Sequence, residues 1–247
     1  MSVKAFIFAG VFALMAVCGI AGPASAQYES CTGNPGIDWD IQIGSCTAAI
    51  QSGRWQGKDV AWAFQNRGIV YKNKGQYDRA IQDYDQAIRL DPNDAYAFNS
   101  RGNVYKDKGQ YDRAIQDFDQ AIRLDPNDAV AFNGRGTAYQ SKGQYDRAIQ
   151  EYDQALRLNP NYAYAFNNRG VAYKNKGQYD RAIEDYNQAI RLNPNYAIAF
   201  YNRGVSWERK NALQRALADF KKFSELALSD PDGPKAVERV TKALSGQ

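Results

Sequence analysis

Apolar residues recur along this chain at helical spacing, in two short groups that return together every 34 residues. In residues 95–128, the first group includes Ala97 and Val104, and the second includes Ala114 and Phe118. Apolar positions separated by four or seven residues are typical of helices that bury one face. The pattern therefore predicts two amphipathic helices in every 34-residue copy.

Turn-forming residues separate the predicted helices. Gly109 lies between the two groups, where the end of a helix favours a left-handed residue, and Pro126 closes the second helix. Asn127 or Asp128 can then cap the next helix. The phrase KGQYDRAI marks the same point in four copies, at Lys74, Lys108, Lys142 and Lys176. The copies are residues 61–94, 95–128, 129–162, 163–196 and a divergent 197–230.

Small and bulky residues recur at fixed places in these copies. Gly102 and Ala114 lie where two helix axes must approach closely, and Tyr105 and Phe118 fill the space beside them. This succession of glycine, aromatic residues, alanines and proline resembles the tetratricopeptide repeat, a helix–turn–helix unit of the same length. The resemblance covers residues 61–230. It implies an all-α fold, a right-handed superhelical solenoid of stacked helix pairs.

Arginine stands beside the glycine of each first helix, where the family usually has leucine. The arginines are Arg67, Arg101, Arg135, Arg169 and Arg203, and an acidic residue follows each of them sixteen positions later. We expect an arginine–carboxylate bridge between the two helices of every unit. Charged pairs four residues apart, such as Asp85–Arg89 and Arg113–Asp117, are expected to lie on solvated faces of the second helices.

The ends of the repeat array differ from its middle. Residues 231–247 carry one apolar stripe, and we interpret them as a single capping helix with a polar outer side. Residues 27–60 are interpreted as an N-terminal arm with a partial repeat. Within it, residues 38–53 resemble a second helix alone, because residues 32–36 cannot sustain a first one.

Residues 1–26 have the composition of a secretory signal. Lys4 precedes an apolar run over residues 5–20, and small residues follow, with cleavage expected after Ala26. A membrane anchor and a lipoprotein are the alternatives. The run is short for a span of about 20 residues, and Val17 is an unfavourable neighbour for an acylated Cys18. We therefore expect an exported family member, periplasmic or secreted, with no membrane span in the mature chain.

Composition narrows the chemistry of the mature chain. Cys31 and Cys46 are the cysteines that remain, and outside a reducing cytosol they are expected to form a disulfide. The net charge of +3 after loss of Lys4 is too small for the dense basic face of a nucleic-acid-binding protein. The chain has no histidine, so histidine-based triads and imidazole metal sites are impossible. We expect no catalysis and no cofactor.

In the resembled family the first helices line a concave groove, and the residues at those positions vary between the copies. Asparagine nevertheless recurs there, as Asn66, Asn99, Asn133, Asn167, Asn168 and Asn202. A carboxamide both donates and accepts hydrogen bonds, so such a row suits the backbone of an extended peptide, as in the asparagine ladders of other members. The groove should also present Lys72, Lys106 and Lys174, and the aromatic residues Trp62, Tyr96 and Tyr164.

The remaining groove positions leave alternatives open. The lysine and arginine clamp of chaperone-binding family members has no counterpart at the corresponding residues, Gln65, Ile69, Ser100, Val130 and Gly134. Relaxed drift of surface positions after duplication could also explain the variation. A scaffold that binds a protein or an extended peptide is the main interpretation. An envelope glycan-binding module that uses the aromatic residues, and a self-associating structural protein, are the alternatives.

Two expectations about stability follow from these assignments. Gly134 lies inside a predicted helix, where glycine costs about 1 kcal/mol relative to alanine, so Gly134→Ala should raise the melting temperature. The groove asparagines are expected to point away from the core. Replacing Asn99, Asn133 and Asn167 together should therefore leave stability almost unchanged.

Overall fold

The computed structural model of the protein describes residues 30–31 and 36–246, and the regular elements in these ranges are all helical. Successive helices pack side by side along the chain, as the sequence pattern predicts. The predicted all-α repeat solenoid is therefore confirmed. The predicted signal segment, residues 1–26, lies outside the described residues.

The helices between residues 61 and 226 form five consecutive pairs, one pair in each 34-residue unit. The first helices are α2 (Ala61–Asn73), α4 (Ala95–Asp107), α6 (Ala129–Ser141), α8 (Ala163–Asn175) and α10 (Ala197–Arg209). The second helices are α3 (Tyr77–Leu90), α5 (Tyr111–Leu124), α7 (Tyr145–Leu158), α9 (Tyr179–Leu192) and α11 (Leu213–Leu226). Helix α1 (Trp39–Gln51) and a 3₁₀ turn (Gly57–Val60) precede the pairs, and α12 (Asp232–Ser245) follows them.

A left-handed residue follows each first helix, as the glycine between the two apolar groups predicts. Gly109 has a φ of 74°, and its N–H donates to the carbonyl of Lys106 at 2.9 Å. The N–H of Gln110 donates to the carbonyl of Tyr105 at 2.8 Å, so the last carbonyls of the helix are satisfied. In the fifth unit Asn211 takes this place with a φ of 60°, a conformation that asparagine tolerates better than most residues.

Contact between an aromatic ring and a glycine sets the separation of the two helices in a unit. Phe118 is fully buried, and a Cβ atom added to Gly102 would lie 3.1 Å from its ring. The glycine thus allows an approach that the ring then fills. The equivalent buried rings are Tyr84, Tyr152, Tyr186 and Phe220. Each such ring contributes roughly 1.5–3 kcal/mol by leaving water, so these five aromatic residues have a packing role.

The stacking of the units leaves one layer of helices closer together than the other. Each second helix packs against the first helix of the next unit. In addition, the first helices of successive units approach one another, for example α2 with α4 and α8 with α10. Because the first-helix layer is the tighter one, it lies on the inner side of the curved array. The side chains on its free face therefore line the inner surface.

The expected arginine–carboxylate bridges are present in all five units, and each arginine also reaches the preceding second helix. In the second unit, the Nε and Nη2 atoms of Arg101 donate to Asp117 at 2.8 and 2.7 Å. Its Nη1 donates to Asp85, on the second helix of the first unit, at 2.5 Å. One guanidinium therefore joins three helices. Burial raises the pKa of Asp117 above its usual value, and the hydrogen bonds from Arg101 offset only part of this effect.

At the two ends of the array, the third contact of the arginine is to a neutral group. Arg67 Nη1 donates to the hydroxyl of Thr47 at 2.8 Å, and Arg203 Nη1 donates to the amide oxygen of Asn187 at 2.7 Å. In the interior units the acceptor is a carboxylate, as it is for Arg101. The acceptor of this arginine contact is therefore charged in the middle of the array and neutral at its ends, where the lysine–aspartate pairs Lys74–Asp40 and Lys210–Asp180 remain as charged contacts.

The predicted ion pairs four residues apart are wrong for this structure. Asp85 pairs with Arg101 of the next unit rather than with Arg89, and Asp117 pairs with Arg101 rather than with Arg113. Arg113 instead donates to Gln110 at 3.1 Å. The carboxylates face neighbouring helices, where one guanidinium offers several donors at once, and this arrangement outweighs an exposed pair on one helix.

The N-terminal end carries a helix that corresponds to the second helix of a unit. Helix α1 takes the place of a second helix, since Thr47 accepts from Arg67 where Asp85 accepts from Arg101. Cys46 and Cys31 are fully buried there, and their Cα atoms are 4.8 Å apart, within the range that a disulfide spans. The structure therefore brings together the two cysteines that the sequence pairs. At the other end, α12 packs against α11.

The expectation for Gly134 is wrong, because the residue faces a ring of the preceding unit. A Cβ atom added to Gly134 would lie 2.6 Å from Cε1 of the fully buried Phe118. Residues from two different units meet at this point, and the helical pattern of one unit does not contain that information. The absence of a side chain at Gly134 is thus a packing requirement between α5 and α6.

We predict opposite effects for two glycine-to-alanine substitutions. Gly134→Ala should lower the free energy of unfolding by about 1–3 kcal/mol, because the ring of Phe118 must shift within a filled core. The matched control is Gly44→Ala in α1, where an added Cβ meets nothing within 4 Å. That change should raise the free energy of unfolding by up to about 1 kcal/mol. Chemical denaturation measures both values, and a gain at Gly134 would contradict the packing described.

A second prediction concerns the arginine that joins three helices. Arg101→Leu leaves the carboxylate of Asp117, which is 6% exposed, without its partner. The expected loss is about 3–5 kcal/mol in the free energy of unfolding. Arg123→Leu removes an exposed arginine that donates only to Gln120, and it should change stability by about 0.5 kcal/mol or less. Similar denaturation midpoints for the two variants would show that the three-helix contact is unimportant.

Candidate functional site

The inner face of the first helices carries the six asparagines that the sequence singles out. The structure divides them into two groups. Asn99, Asn167 and Asn202 are buried, with 5–8% of their surface exposed, whereas Asn66, Asn133 and Asn168 are half-buried. The expectation that all of these amides point away from the core is therefore wrong for the buried group. Their replacement will affect stability as well as any binding.

Asparagines of three units are joined in one directional chain of hydrogen bonds. Lys174 Nζ donates to Asn202 Oδ1 at 3.3 Å, and Asn202 Nδ2 donates to Asn167 Oδ1 at 3.1 Å. Asn167 Nδ2 then donates to the neighbouring Asn168 Oδ1 at 3.4 Å. Asn168 Nδ2 in turn donates to Asn133 Oδ1 at 3.0 Å. The chain runs along the inner face from the fifth unit to the third.

The direction of this chain follows from its first member. An ammonium group can only donate, so Lys174 requires the oxygen of Asn202 to face it, and each following amide must then turn its nitrogen onward. The final nitrogen, Asn133 Nδ2, donates to no other residue that the structure describes. Hydrogen bonds in such a series strengthen one another. The inner face of the third unit therefore presents a polarised N–H donor.

A second, shorter chain in the second unit ends within the protein. Lys106 Nζ donates to Asn103 Oδ1 at 3.0 Å, and Asn103 Nδ2 donates to Asn99 Oδ1 at 3.2 Å. Asn99 Nδ2 completes it by donating to the carboxylate of Asp128 at 3.3 Å. Sequence reasoning did not single out Asn103, although its position four residues after Asn99 on one helix is the relevant signal.

The three groove lysines have different electrostatic surroundings. Lys72 and Lys106 lie 3.4 and 3.7 Å from carboxylate oxygens of Asp107. No carboxylate of the described residues lies within 4 Å of Lys174, which donates a hydrogen bond to the amide oxygen of Asn202. Burial lowers the pKa of both Lys106 and Lys174; Asp107 counteracts this effect at Lys106, whereas the nearby charge of Arg209 adds to it at Lys174.

Apolar and aromatic side chains line the opposite edge of the inner face, at the start of each first helix. The most exposed are Tyr96, Val130, Tyr164 and Ile198. Trp62 is half-buried and its ring meets Trp55 edge-on at 5.4 Å, and Tyr164 meets Tyr196 in the same way at 5.1 Å. This apolar edge and the lysine positions are ten residues apart on each helix, or roughly 15 Å. The asparagines lie between them.

These features define a groove with three parallel rows. They are the apolar edge, the amides, and a cationic edge formed by Lys72, Lys106 and Lys174. A peptide in extended conformation fits such a groove, because its backbone can pair with the amides while alternate side chains point to opposite edges. Within the described ranges, no group of cysteine, aspartate and glutamate residues is arranged to hold a metal ion. None of the helices described there combines the length and the apolar character that crossing a membrane requires.

Comparison with protein families and solved structures gives consistent matches. A family profile described as TPR repeat matches residues 68–109, 102–143 and 136–177, and one described as Tetratricopeptide repeat matches residues 163–196. The crystal structure of MamA protein is 30% identical, with a TM-score of 0.57, over 67% of this chain and 91% of MamA. No curated protein sequence matches the chain.

Two further structures match over most of their length. YrrB, described as a TPR protein with an unusual peptide-binding site, is 27% identical with a TM-score of 0.56, over 79% of this chain and 99% of YrrB. PilF of Pseudomonas aeruginosa is 20% identical with a TM-score of 0.69, over 77% of this chain and 87% of PilF. The similarity to PilF concerns the fold alone.

Proposed function

The chain belongs to the tetratricopeptide repeat family, and on that premise we propose that it is a non-catalytic scaffold that binds an extended peptide segment of a partner protein. The partner lies along the inner face of the first helices. YrrB, a relative of similar architecture, is described as having a peptide-binding site, which supports the proposal. The observation that carries it is the chain of amides that ends in Asn133, whose side-chain N–H has no partner among the described residues.

The amides recognise the backbone of the peptide rather than its sequence. Asn133 donates to a backbone carbonyl, and Asn66, half-buried on the first unit, offers both an acceptor and a donor. Each such hydrogen bond contributes about 0.5–1.5 kcal/mol net, because the empty groove is hydrated. Affinity therefore depends on several contacts made together. The buried amides hold the exposed ones in position.

Glycan binding and self-association are weaker candidates. A sugar requires a flat aromatic face, whereas Trp62 and Tyr164 each meet a neighbouring ring edge-on and their row is interrupted by Val130 and Ile198. Binding to a glycan array would favour the first alternative. An increase of molecular mass with concentration, without any captured peptide, would favour the second.

We predict that two half-buried asparagines matter for binding and little for folding. Peptides are first selected against the protein from a displayed random library. Asn66→Ala and Asn133→Ala together should weaken binding of the selected peptides by about 1–3 kcal/mol, as expected for two lost hydrogen bonds. The free energy of unfolding should fall by no more than about 0.5–1.5 kcal/mol, because the hydrogen bond from Asn168 to Asn133 is the one lost within the protein. Fluorescence anisotropy gives the affinity, and thermal unfolding followed by circular dichroism gives the stability.

The matched control is a buried amide of the same row. Asn202→Ala removes the acceptor of Lys174 and the donor to Asn167, so it should lower the free energy of unfolding by about 1–3 kcal/mol. If the Asn66 and Asn133 double variant binds the selected peptides as tightly as the original protein, the inner face is not the working surface.

We also propose that the protein works outside the cytosol, in the periplasm or after secretion, with Cys31 and Cys46 bonded. The signal-like composition of residues 1–26 supports export. The short Cα–Cα distance of 4.8 Å and the complete burial of both cysteines support the bond. The pair would tie the N-terminal arm to α1.

The disulfide gives a direct test of this proposal. In protein isolated from the cell envelope or the medium, alkylation before reduction should label neither Cys31 nor Cys46, as mass spectrometry can show. Closing a loop between residues 15 apart stabilises a fold by about 3 kcal/mol, so a reductant should lower the melting temperature. A variant with alanine at both positions should not respond to the reductant. Two free thiols in the exported protein would contradict the proposal.

A further inference from the structure

The electrostatic character of the groove changes along its length. The turns that follow the second helices of the first two units carry acidic side chains, Asp91, Asp94, Asp125 and Asp128. The corresponding positions after the third and fourth units are neutral or aromatic, Asn159, Tyr162, Asn193 and Tyr196. A negatively charged ligand group is therefore repelled at the first half of the groove and not at the second.

The lysines of the cationic edge likewise favour a negatively charged group more strongly in the second half of the groove. Asp107 lies within 4 Å of both Lys72 and Lys106, and its single carboxylate offsets part of their combined charge. Among the described residues, Lys174 meets only the neutral amide of Asn202, so two of its three donors remain available to a ligand. A half-buried ammonium group that lacks a counter-ion has lost hydration without regaining an ionic contact. Its environment favours the arrival of an anion.

A second cation adjoins Lys174. Arg209 ends α10 on the neighbouring unit, it is exposed, and no carboxylate among the described residues lies within 4 Å of it. Arg209 stands 35 residues after Lys174, and at this spacing Asp107 lies 3.4 Å from Lys72 and Asn202 donates to Asn167. The stacking of the units therefore places Arg209 beside Lys174, and its charge contributes to the lowered pKa of that lysine. Arg209 also lines a cleft of about 450 Å³ between α10 and α12, together with Tyr201 and Arg239. The guanidinium of Arg239 is already held by Glu208, with two distances of 2.8 Å.

We propose that Lys174 and Arg209 form a carboxylate-binding subsite that fixes the direction of the peptide in the groove. The inference rests on the proposed peptide-binding function and adds an orientation to it. The planar guanidinium of Arg209 matches the two oxygens of a carboxylate, and the free donors of Lys174 add a point charge beside it. The acidic end of the segment lies at the fourth and fifth units, away from the aspartates of the first two.

The carboxylate has two possible sources within a peptide. It is either the side chain of an aspartate or glutamate, or the carboxyl terminus. In an extended segment, alternate side chains point to opposite edges of the groove. An acidic side chain facing Lys174 is then flanked by side chains that face the apolar edge. A peptide that alternates leucine and aspartate has this character and is a suitable probe.

The test compares four synthetic peptides of equal length by fluorescence anisotropy. The first two alternate leucine with aspartate or with asparagine, and both have amidated C-termini. The third has the asparagine sequence with a free carboxyl terminus, and the fourth replaces aspartate by lysine. The original protein should bind the aspartate or the free-carboxylate peptide about tenfold more tightly than the amidated asparagine peptide. The tighter of the two identifies the source of the carboxylate.

Variants then assign this preference to the two cations. In the Lys174→Gln and Arg209→Gln double variant the tenfold preference should disappear, while binding of the asparagine peptide is retained, since glutamine can still donate to Asn202. The control is Lys221→Gln, which removes one charge from an exposed position on α11 and should retain the preference. Circular dichroism verifies that both variants keep their helical content.

The outcomes separate this inference from the proposed function. If the asparagine peptide binds but no carboxylate preference appears, or if the preference survives in the double variant, the subsite is overturned and groove binding stands. Tighter binding of the lysine peptide also overturns the subsite. If none of the peptides binds, both the subsite and the proposed peptide-binding function are overturned.

Discussion

The arginine beside the glycine of each first helix is the contact on which the array depends. Its guanidinium offers donors in one plane, and the fold uses this geometry to join three helices at once, as Arg101 does with Asp117 and Asp85. A leucine, which the family usually has at this position, fills space between two helices but offers no donor to the preceding unit. The repeated contact joins each unit to the one before it and so helps to fix the spacing of the amides on the inner face.

Features confined to one unit could be predicted from the sequence. The period, the glycine turns and the bridge from each arginine to an acid sixteen residues later all depend on local spacing, and the structure contains them. Gly134 could not be predicted correctly, because its neighbour Phe118 belongs to another unit. The predicted set of acidic partners for the arginines was incomplete for the same reason, because Asp85 contacts Arg101, which belongs to the next unit.

The candidate site shows the same limit in a different form. The sequence indicates which positions carry asparagine, yet equal spacing places Asn133 in the open groove and Asn167 in a buried contact. Both accept an amide N–H from a residue 35 positions later, and Asn167 in addition donates to Asn168, so contacts with other side chains distinguish the two. Arg209 could not be predicted as a groove residue, because no feature of its own unit distinguishes it from other surface arginines. Its significance lies in its closeness to Lys174 and in the carboxylate that both lack.

The neutral contact between Arg203 and Asn187 has a consequence for the dynamics of the array. In a stack of units that touch only their neighbours, cooperativity depends on the coupling at each junction. At the junction between the fourth and fifth units the arginine meets a neutral amide, and the ion pair of Lys210 with Asp180 remains. The interior junctions have both an arginine–carboxylate and a lysine–aspartate contact, so amide hydrogens of α10 to α12 should exchange sooner than those of α4 to α7. Lys174 and Arg209 lie on opposite sides of this junction. A ligand held by both would couple the two units, so occupancy of the groove and order at the end of the chain become linked equilibria.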